Sequence, residues 1–199
     1  MKAVIVDYGM GNLQSVKNAC GFLGFPTVVA RDEKSLREAS HLILPGVGAF
    51  RQGMENLNER ELVGLLRDLV LQKKKPLLGI CLGMQLLAES GTEGGECEGL
   101  GFIRGRVARL AGNGLRVPHI GWNEALVRKA NAFIKKQADF YFVHSYHFDV
   151  FEPGDVIAET EYGETFVSAV GRENIFGAQF HPEKSHGAGL ELLRNFLVS

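Results

Sequence analysis

Cys81 stands in the frame Gly79-x-Cys81-x-Gly83. The run Leu77–Ile80 after Pro76 is apolar and reads as a buried strand, and Leu82–Glu89, with Leu86 and Leu87, suits a helix. Small residues on both sides of a nucleophile permit a tight strand-to-helix turn that holds its side chain clear of the backbone. A helix N-terminus beginning there favours the thiolate, and its N–H groups can receive an oxyanion. Free cysteines are also common as small core residues, so the frame by itself leaves both readings open.

A cysteine nucleophile needs a base, and the base usually needs a third group to orient it. Gln179-Phe180-His181-Pro182-Glu183 supplies candidates for both. Pro182 biases His181 toward extended backbone, where residues two apart share one side. His181 and Glu183 can then lie together, the carboxylate fixing the imidazole tautomer and supporting an imidazolium. A surface turn with two polar residues is the alternative. A glycine strip, Leu44-Pro45-Gly46-Val47-Gly48-Ala49-Phe50, follows another strand end, where ligands bind in open α/β sheets. Its N–H groups are the candidate second half of an oxyanion hole; the alternative is an ordinary Pro-Gly turn. The spacing is not that of a phosphate loop, which rejects a nucleotide reading.

These residues need elements to position them. Ala3–Asp7, Thr27–Ala30, His41–Leu44 and Pro76–Ile80 read as strands. Asn12 is a good N-cap for a helix with Leu13, Val16, Ala19, Cys20 and Leu23 on one face, stopped by Gly24 and Pro26. Asn58–Gln72 carries Leu62, Leu65, Leu66 and Leu69 at helical spacing. This alternation predicts βαβ units around a parallel sheet. After a Gly/Glu-rich loop at Gly91–Gly101, short strand-like runs follow at Arg104–Leu110, Leu115–Val117, Glu124–Val127, Phe140–His144, Val156–Glu161, Thr165–Val170 and Ile175–Phe180, and then a helix at Gly189–Val198. The expected fold is α/β: one domain over residues 1–199, with a central mixed, mostly parallel sheet flanked by helices and an added antiparallel region.

The chain's 199 residues are enough for one sizeable core. Lys and Arg number 22 against 23 Asp and Glu, a balance that gives no electrostatic footing for nucleic acid or a membrane surface. No apolar run reaches the ~18 residues of a membrane span, and the N-terminal apolar segment is too short for a signal peptide. Cys20, Cys81 and Cys97 cannot all pair and lack metal-like spacing. Free thiols fit a reducing cytosol, so the expected location is cytoplasmic. Cys20, on an amphipathic helix, reads as structural. Lys73-Lys74-Lys75 reads as a solvated helix end.

Six stretches then fall in an order and at intervals that match a family: Asp7-Tyr8-Gly9-Met10-Gly11-Asn12, Leu44–Phe50, Gly79–Leu87, Pro118-His119-Ile120-Gly121-Trp122-Asn123, Tyr141–His147 and Gly177–Ser185. Over essentially its whole length the chain resembles the class I (triad) glutamine amidotransferases. The resemblance implies that Cys81 attacks the carboxamide carbon of glutamine, that His181 moves the proton, and that Glu183 orients His181. It implies a γ-glutamyl thioester hydrolysed by water, and an oxyanion met by N–H groups of Leu82 and of Val47 or Gly48. Gln85 and Glu93 would recognise glutamine's amino-acid end, and His144, Ser145 and Tyr146 would line that pocket; His144 could equally be a hydrogen-bonded strand end. No cofactor and no metal are implied.

Released ammonia implies a synthase to capture it, and the Asp7–Asn12 and Pro118–Asn123 stretches resemble the member whose synthase is a separate (β/α)₈-barrel cyclase. Such a barrel needs ~250 residues of its own. The loops Tyr8–Asn12 and His119–Asn123, with Lys184, are the candidate docking face, so Asn12, His119, Trp122 and Lys184 are its candidate residues. Trp122 could be an interface anchor or a buried core aromatic. Three rivals stand beside this reading. A triad glutaminase with a Gly-Gly-Glu-Ser loop would need that loop where this chain has Pro-Gly-Val-Gly. A cysteine hydrolase could work without a synthase. A non-catalytic subunit could keep only the fold, against which the intact Cys81, His181 and Glu183 argue.

Overall fold

The computed structural model describes residues 2–129 and 131–199. In chain order the elements are β1 (Ala3–Val6), α1 (Leu13–Phe22), β2 (Thr27–Ala30), α2 (Glu33–Glu38), β3 (His41–Gly46), α3 (Phe50–Glu59), α4 (Leu62–Arg67) continued by a π-helical turn at Asp68–Gln72, β4 (Leu77–Cys81), α5 (Leu82–Gln85), β5 (Ser90–Gly91), β6 (Cys97–Glu98), β7 (Gly105–Arg109), β8 (His119–Val127), β9 (Ala138–His144), β10 (Tyr146–Val150), β11 (Val156–Glu161), β12 (Thr165–Arg172), β13 (Ile175–Ala178) and α6 (His186–Leu197). Short 3₁₀ turns span Pro153–Asp155 and Pro182–Lys184.

The strand order is β2-β1-β3-β4-β13-β12-β10-β7-β5-β6, with β11 pairing β12 and β8, and β8 pairing β9. The first five strands are mutually parallel; β12 turns the sheet antiparallel. Parallel strands are covered on both faces, so they need continuous apolar runs, and β1, β3 and β4 are buried at every position. Alternation along each strand then divides the core in two. Val4, Val6, Leu42 and Leu44 pack with Met54 and Leu57 of α3 and Leu66 of α4. Ile5, Ile43 and Leu78 pack with Val16 and Cys20 of α1 and Leu193 and Phe196 of α6.

Register brings the chemistry together. Gly46 of β3 pairs with Cys81 of β4, and Ala178 of β13 pairs with Ile80. The glycine strip and the segment leading to His181 therefore flank the nucleophile at the carboxyl ends of parallel strands, where α/β sheets bind ligands.

Several local expectations give way to other forces. The helix expected over Asn58–Gln72 is broken, because Glu61 is left-handed at φ 57°, and the helix before the break begins at Phe50. The helix expected over Leu82–Glu89 is only the single turn α5. Leu115–Val117 forms no strand: Gly112, Asn113 and Gly114 all have positive φ, and the N–H of Leu115 closes a turn onto the Gly112 carbonyl at 2.9 Å. The expected loop His119–Asn123 is strand, paired residue by residue with β9. The expected loop Gly91–Gly101 carries a short antiparallel ladder, in which β5 (Ser90, Gly91) pairs with β6 (Glu98, Cys97).

Two glycine substitutions should separate packing from propensity. A Cβ on Gly83 would sit 1.7 Å from the Leu44 carbonyl oxygen, a backbone atom. Gly83→Ala should therefore cost about 3 kcal/mol or more. Gly21, in the last turn of α1, has nothing within 4 Å of such a Cβ, and Gly21→Ala should stabilise by about 0.5–1 kcal/mol. Urea unfolding midpoints measure both; a harmless Gly83→Ala would refute the packing described.

Candidate active site

Cys81 lies between β4 and α5 with φ 53° and ψ −112°, a strained conformation for a residue with a side chain. The surrounding glycines are what permit it. A Cβ on Gly79 would meet the Gly83 carbonyl oxygen at 2.6 Å, one on Gly83 would strike Leu44, and one on Gly46 would meet the Tyr8 hydroxyl at 2.3 Å. The backbone thus folds back on itself tightly enough to present the thiol, which is 6% exposed. Because α5 is a single turn, only a small dipole points at the sulfur. The sulfur lies 3.8 Å from the Val143 carbonyl, to which the thiol donates, and 3.7 Å from Nε2 of Gln179. Burial raises the Tyr8 phenol pKa and keeps it neutral.

His181 Nδ1 is 2.8 Å from Glu183 Oε1, with side-chain exposures of 3% and 1%. The carboxylate fixes the proton on Nδ1 and leaves Nε2 as the nitrogen for the thiol. Nε2 is buried and has no hydrogen-bond partner among the described residues. Burial pulls the His181 pKa down, but the Cys81 and Glu183 interactions outweigh it and raise the pKa to about 9. The backbone holds this segment firmly: the His181 N–H donates to the Tyr141 carbonyl at 2.9 Å. Ser185 Oγ donates to the His181 carbonyl at 2.6 Å and accepts from the Tyr141 N–H at 3.0 Å.

Beside the sulfur opens a cleft of about 330 Å³, lined by Val47, Gly48, Leu82, Gln85, Glu93, His144, Ser145 and Tyr146 together with Cys81 and Pro118. All the pocket and oxyanion residues expected from the sequence therefore meet in one place. The N–H groups of Val47 and Gly48 have no backbone acceptor among the described residues, and the Leu82 N–H opens the helix that follows Cys81. Gly48 holds φ +123°. Glu93 Oε2 accepts from the Phe50 N–H at 3.1 Å; burial raises the Glu93 pKa, and that N–H opposes the rise. Cys20 is buried elsewhere, and its thiol is pushed up to about 11 by that burial.

His119 corrects an expectation. It was placed on the docking face, yet it is 2% exposed, its ring stacked between Phe142 and Tyr162. Its Nδ1 lies 3.1 Å from His144 Nε2, and His144 Nδ1 lies 2.9 Å from the Tyr146 carbonyl. A carbonyl only accepts, so His144 carries its proton on Nδ1, and His119 donates from its own Nδ1. Burial lowers the His119 pKa to about 4 and that of His144 to about 3, which keeps both neutral. Trp122 is 48% exposed and stacks on His186 with centroids 5.1 Å apart. Lys184 is exposed over the Tyr141 ring, and Asn12 is exposed and caps α1. Gln179, fully buried and touching the sulfur, is absent from the sequence-derived set; the same two-residue spacing that joins His181 to Glu183 joins it to His181.

The family model for Glutamine amidotransferase class-I matches residues 4–199. The chain is 46% identical to Imidazole glycerol phosphate synthase subunit HisH 1 of Campylobacter jejuni, over 96% of this chain and 97% of that one. It is 48% identical to Imidazole glycerol phosphate synthase subunit HisH of Aquifex aeolicus, over 98% and 96%. Among solved structures, one described as a glutamine amidotransferase superposes with TM-score 0.78 at 23% identity, covering 98% of this chain and 97% of that one. PurLQS from Thermotoga maritima superposes with TM-score 0.76 at 18% identity, over 99% and 97%, and these two speak to the fold. With a family model spanning nearly every residue and relatives near half identity end to end, the chain belongs to the class-I glutamine amidotransferases.

Proposed function

We propose that this chain is the glutaminase subunit of an imidazole glycerol phosphate synthase, acting in histidine biosynthesis in the cytoplasm as a single catalytic domain over residues 1–199. The observation that carries the reading is a buried His181–Glu183 pair set against a strained cysteine at the mouth of a cleft of ligand size. His181 Nε2 takes the thiol proton, and the thiolate attacks the glutamine carboxamide carbon. The oxyanion is received by the N–H of Leu82 and by one from Val47 or Gly48. Collapse expels ammonia, which leaves with the proton held on His181. Water, deprotonated in turn by His181, hydrolyses the γ-glutamyl thioester and restores the thiol with glutamate as product. Glu93, partly buried in the cleft, suits the substrate ammonium, with Gln85, His144, Ser145 and Tyr146 forming the wall at its amino-acid end.

The ammonia passes to a separate (β/α)₈-barrel cyclase that makes imidazole glycerol phosphate and aminoimidazole carboxamide ribotide, the two chains forming a heterodimer. Trp122, Lys184 and Asn12 remain the candidate docking residues. Ile120 and Trp122 point outward from β8 at 59% and 48% exposure. Co-purification with a barrel cyclase, followed by assay of glutamate release, tests the reading as a whole.

Cys81→Ala should abolish glutamine hydrolysis while the assembled synthase still turns over with added ammonium. Residual hydrolysis above a few per cent of the original would refute the nucleophile.

Glu183→Gln should lower the His181 pKa from about 9 toward its ordinary 6.5 and reduce turnover less than Cys81→Ala does. Because the folded pKa is the raised one, the stability this histidine contributes is complete below pH 6.5 and fades as pH rises through about 9. Imidazole NMR titration and pH-dependent unfolding check both signs; an unmoved His181 would remove Glu183 from its role.

The isolated chain should hydrolyse glutamine slowly and respond strongly to its partner, with the glycine strip as the switch. Gly48 sits at φ +123°, which proline cannot adopt. Gly48→Pro should suppress partner-stimulated turnover by about 10²–10³, the cost of one oxyanion donor, with partner affinity retained in a binding titration. Full stimulation would rule the strip out.

A further inference from the structure

Gln179 and Gln85 are both buried amides next to the nucleophile, 0% and 4% exposed. The two ends of an amide are alike in shape, and only the hydrogen-bond network tells them apart. Here a backbone carbonyl decides. The Tyr146 carbonyl can only accept, so the end of Gln85 lying 2.8 Å from it is Nε2. The second hydrogen of that NH₂ group faces Gln179 at 3.0 Å, which must therefore present Oε1. The end of Gln179 that lies 3.7 Å from Cys81 Sγ is then its NH₂ group, a donor. The Gln179 backbone is pinned as well, its N–H donating to the Ser168 carbonyl at 2.9 Å.

We infer that Gln179 is a catalytic residue whose amide N–H holds the Cys81 thiolate, and that Gln85 is a positioning residue that keeps the donor end of that amide on the sulfur. The inference deepens the glutaminase reading and rests on it only for the consequence in turnover.

The two partners of the sulfur respond oppositely to ionisation. The Val143 carbonyl, 3.8 Å away, accepts from the thiol and has nothing to accept from a thiolate. The Gln179 N–H gains strength when its acceptor becomes charged. Burial excludes competing water from this donor, and leaving it unpaired would carry a desolvation cost. The one-turn α5 supplies little dipole, so a fixed neutral donor fills a role that a long helix would otherwise share. Unlike His181, it stays in place when the imidazole gives up its proton to ammonia.

The test is the pH dependence of Cys81 alkylation by iodoacetamide in the full chain, followed on the Cys81 peptide by mass spectrometry so that Cys20 and Cys97 do not contribute. The other titratable groups around the sulfur are His181 with Glu183 behind it, Tyr8, and Glu93 and His144 in the cleft; the variants leave all of them in place. Gln179→Met keeps bulk without a donor and should move the half-maximal pH up by about one unit, the size expected of one hydrogen bond to a charged group. Gln85→Met should move it in the same direction by less, because Gln179 is then free to turn. An unmoved profile in Gln179→Met, or in Gln85→Met if the first variant does not fold, overturns the inference. A shifted profile in a chain that never hydrolyses glutamine, even with a barrel cyclase, would uphold the thiolate contact and refute the glutaminase reading instead.

Discussion

The backbone of Gly83 lies against the carbonyl of Leu44 with no room for a single further atom. Most of the site follows from that contact. It brings the turn after β4 down onto the end of β3, so the strip that continues from Gly46 lines the same cleft as Cys81. It also forces the chain to reverse within one residue, and Cys81 absorbs the reversal in its positive φ. Strain of this kind persists only where the surroundings over-determine it. Here the parallel pairing of β3 and β13 on either side of β4 does so.

A second fixed point is the Tyr146 carbonyl. It receives the side chain of Gln85 from the elbow and that of His144 from β9, so the parallel part of the sheet and the β8–β9 pair meet on one oxygen. The donors run inward in one sense, from His119 to His144 to Tyr146, and the low pKa values of both rings mean that no ordinary change of pH reverses it. The cleft wall is accordingly set by hydrogen-bond direction as much as by packing.

Much of this was legible from residue order. The continuous apolar runs at Ala3–Val6, His41–Leu44 and Leu77–Ile80 announce strands buried on both faces, and the Cys81 frame and the His181–Glu183 spacing announce their own geometry. The α3 helix was legible in principle, since Phe50, Met54 and Leu57 recur at helical spacing. Asn58–Gln72 looked like one helix because leucine spacing carries no sign of the left-handed Glu61. The docking-loop reading of His119–Asn123 fails at His119 because the segment is strand, and alternation along a strand puts His119 in and Ile120 out. Spacing alone puts Gln179 on the side of His181, but its contacts with Gln85 and Cys81, more than 90 residues away, needed the tertiary structure.

The place of β13 has a consequence for how the molecule comes into being. This strand is late in the chain, yet it occupies the middle of the sheet, between β4 and β12. Until it inserts, β4 and β12 each expose an open edge, and the nucleophile strand waits for a neighbour almost a hundred residues downstream. Pairings at such separations are slow to form, and open edges invite association with other chains. During synthesis the thiol is made long before its base, so the nascent protein carries Cys81 without His181 until the sheet closes. Arming of the sulfur and completion of the fold are thus one event.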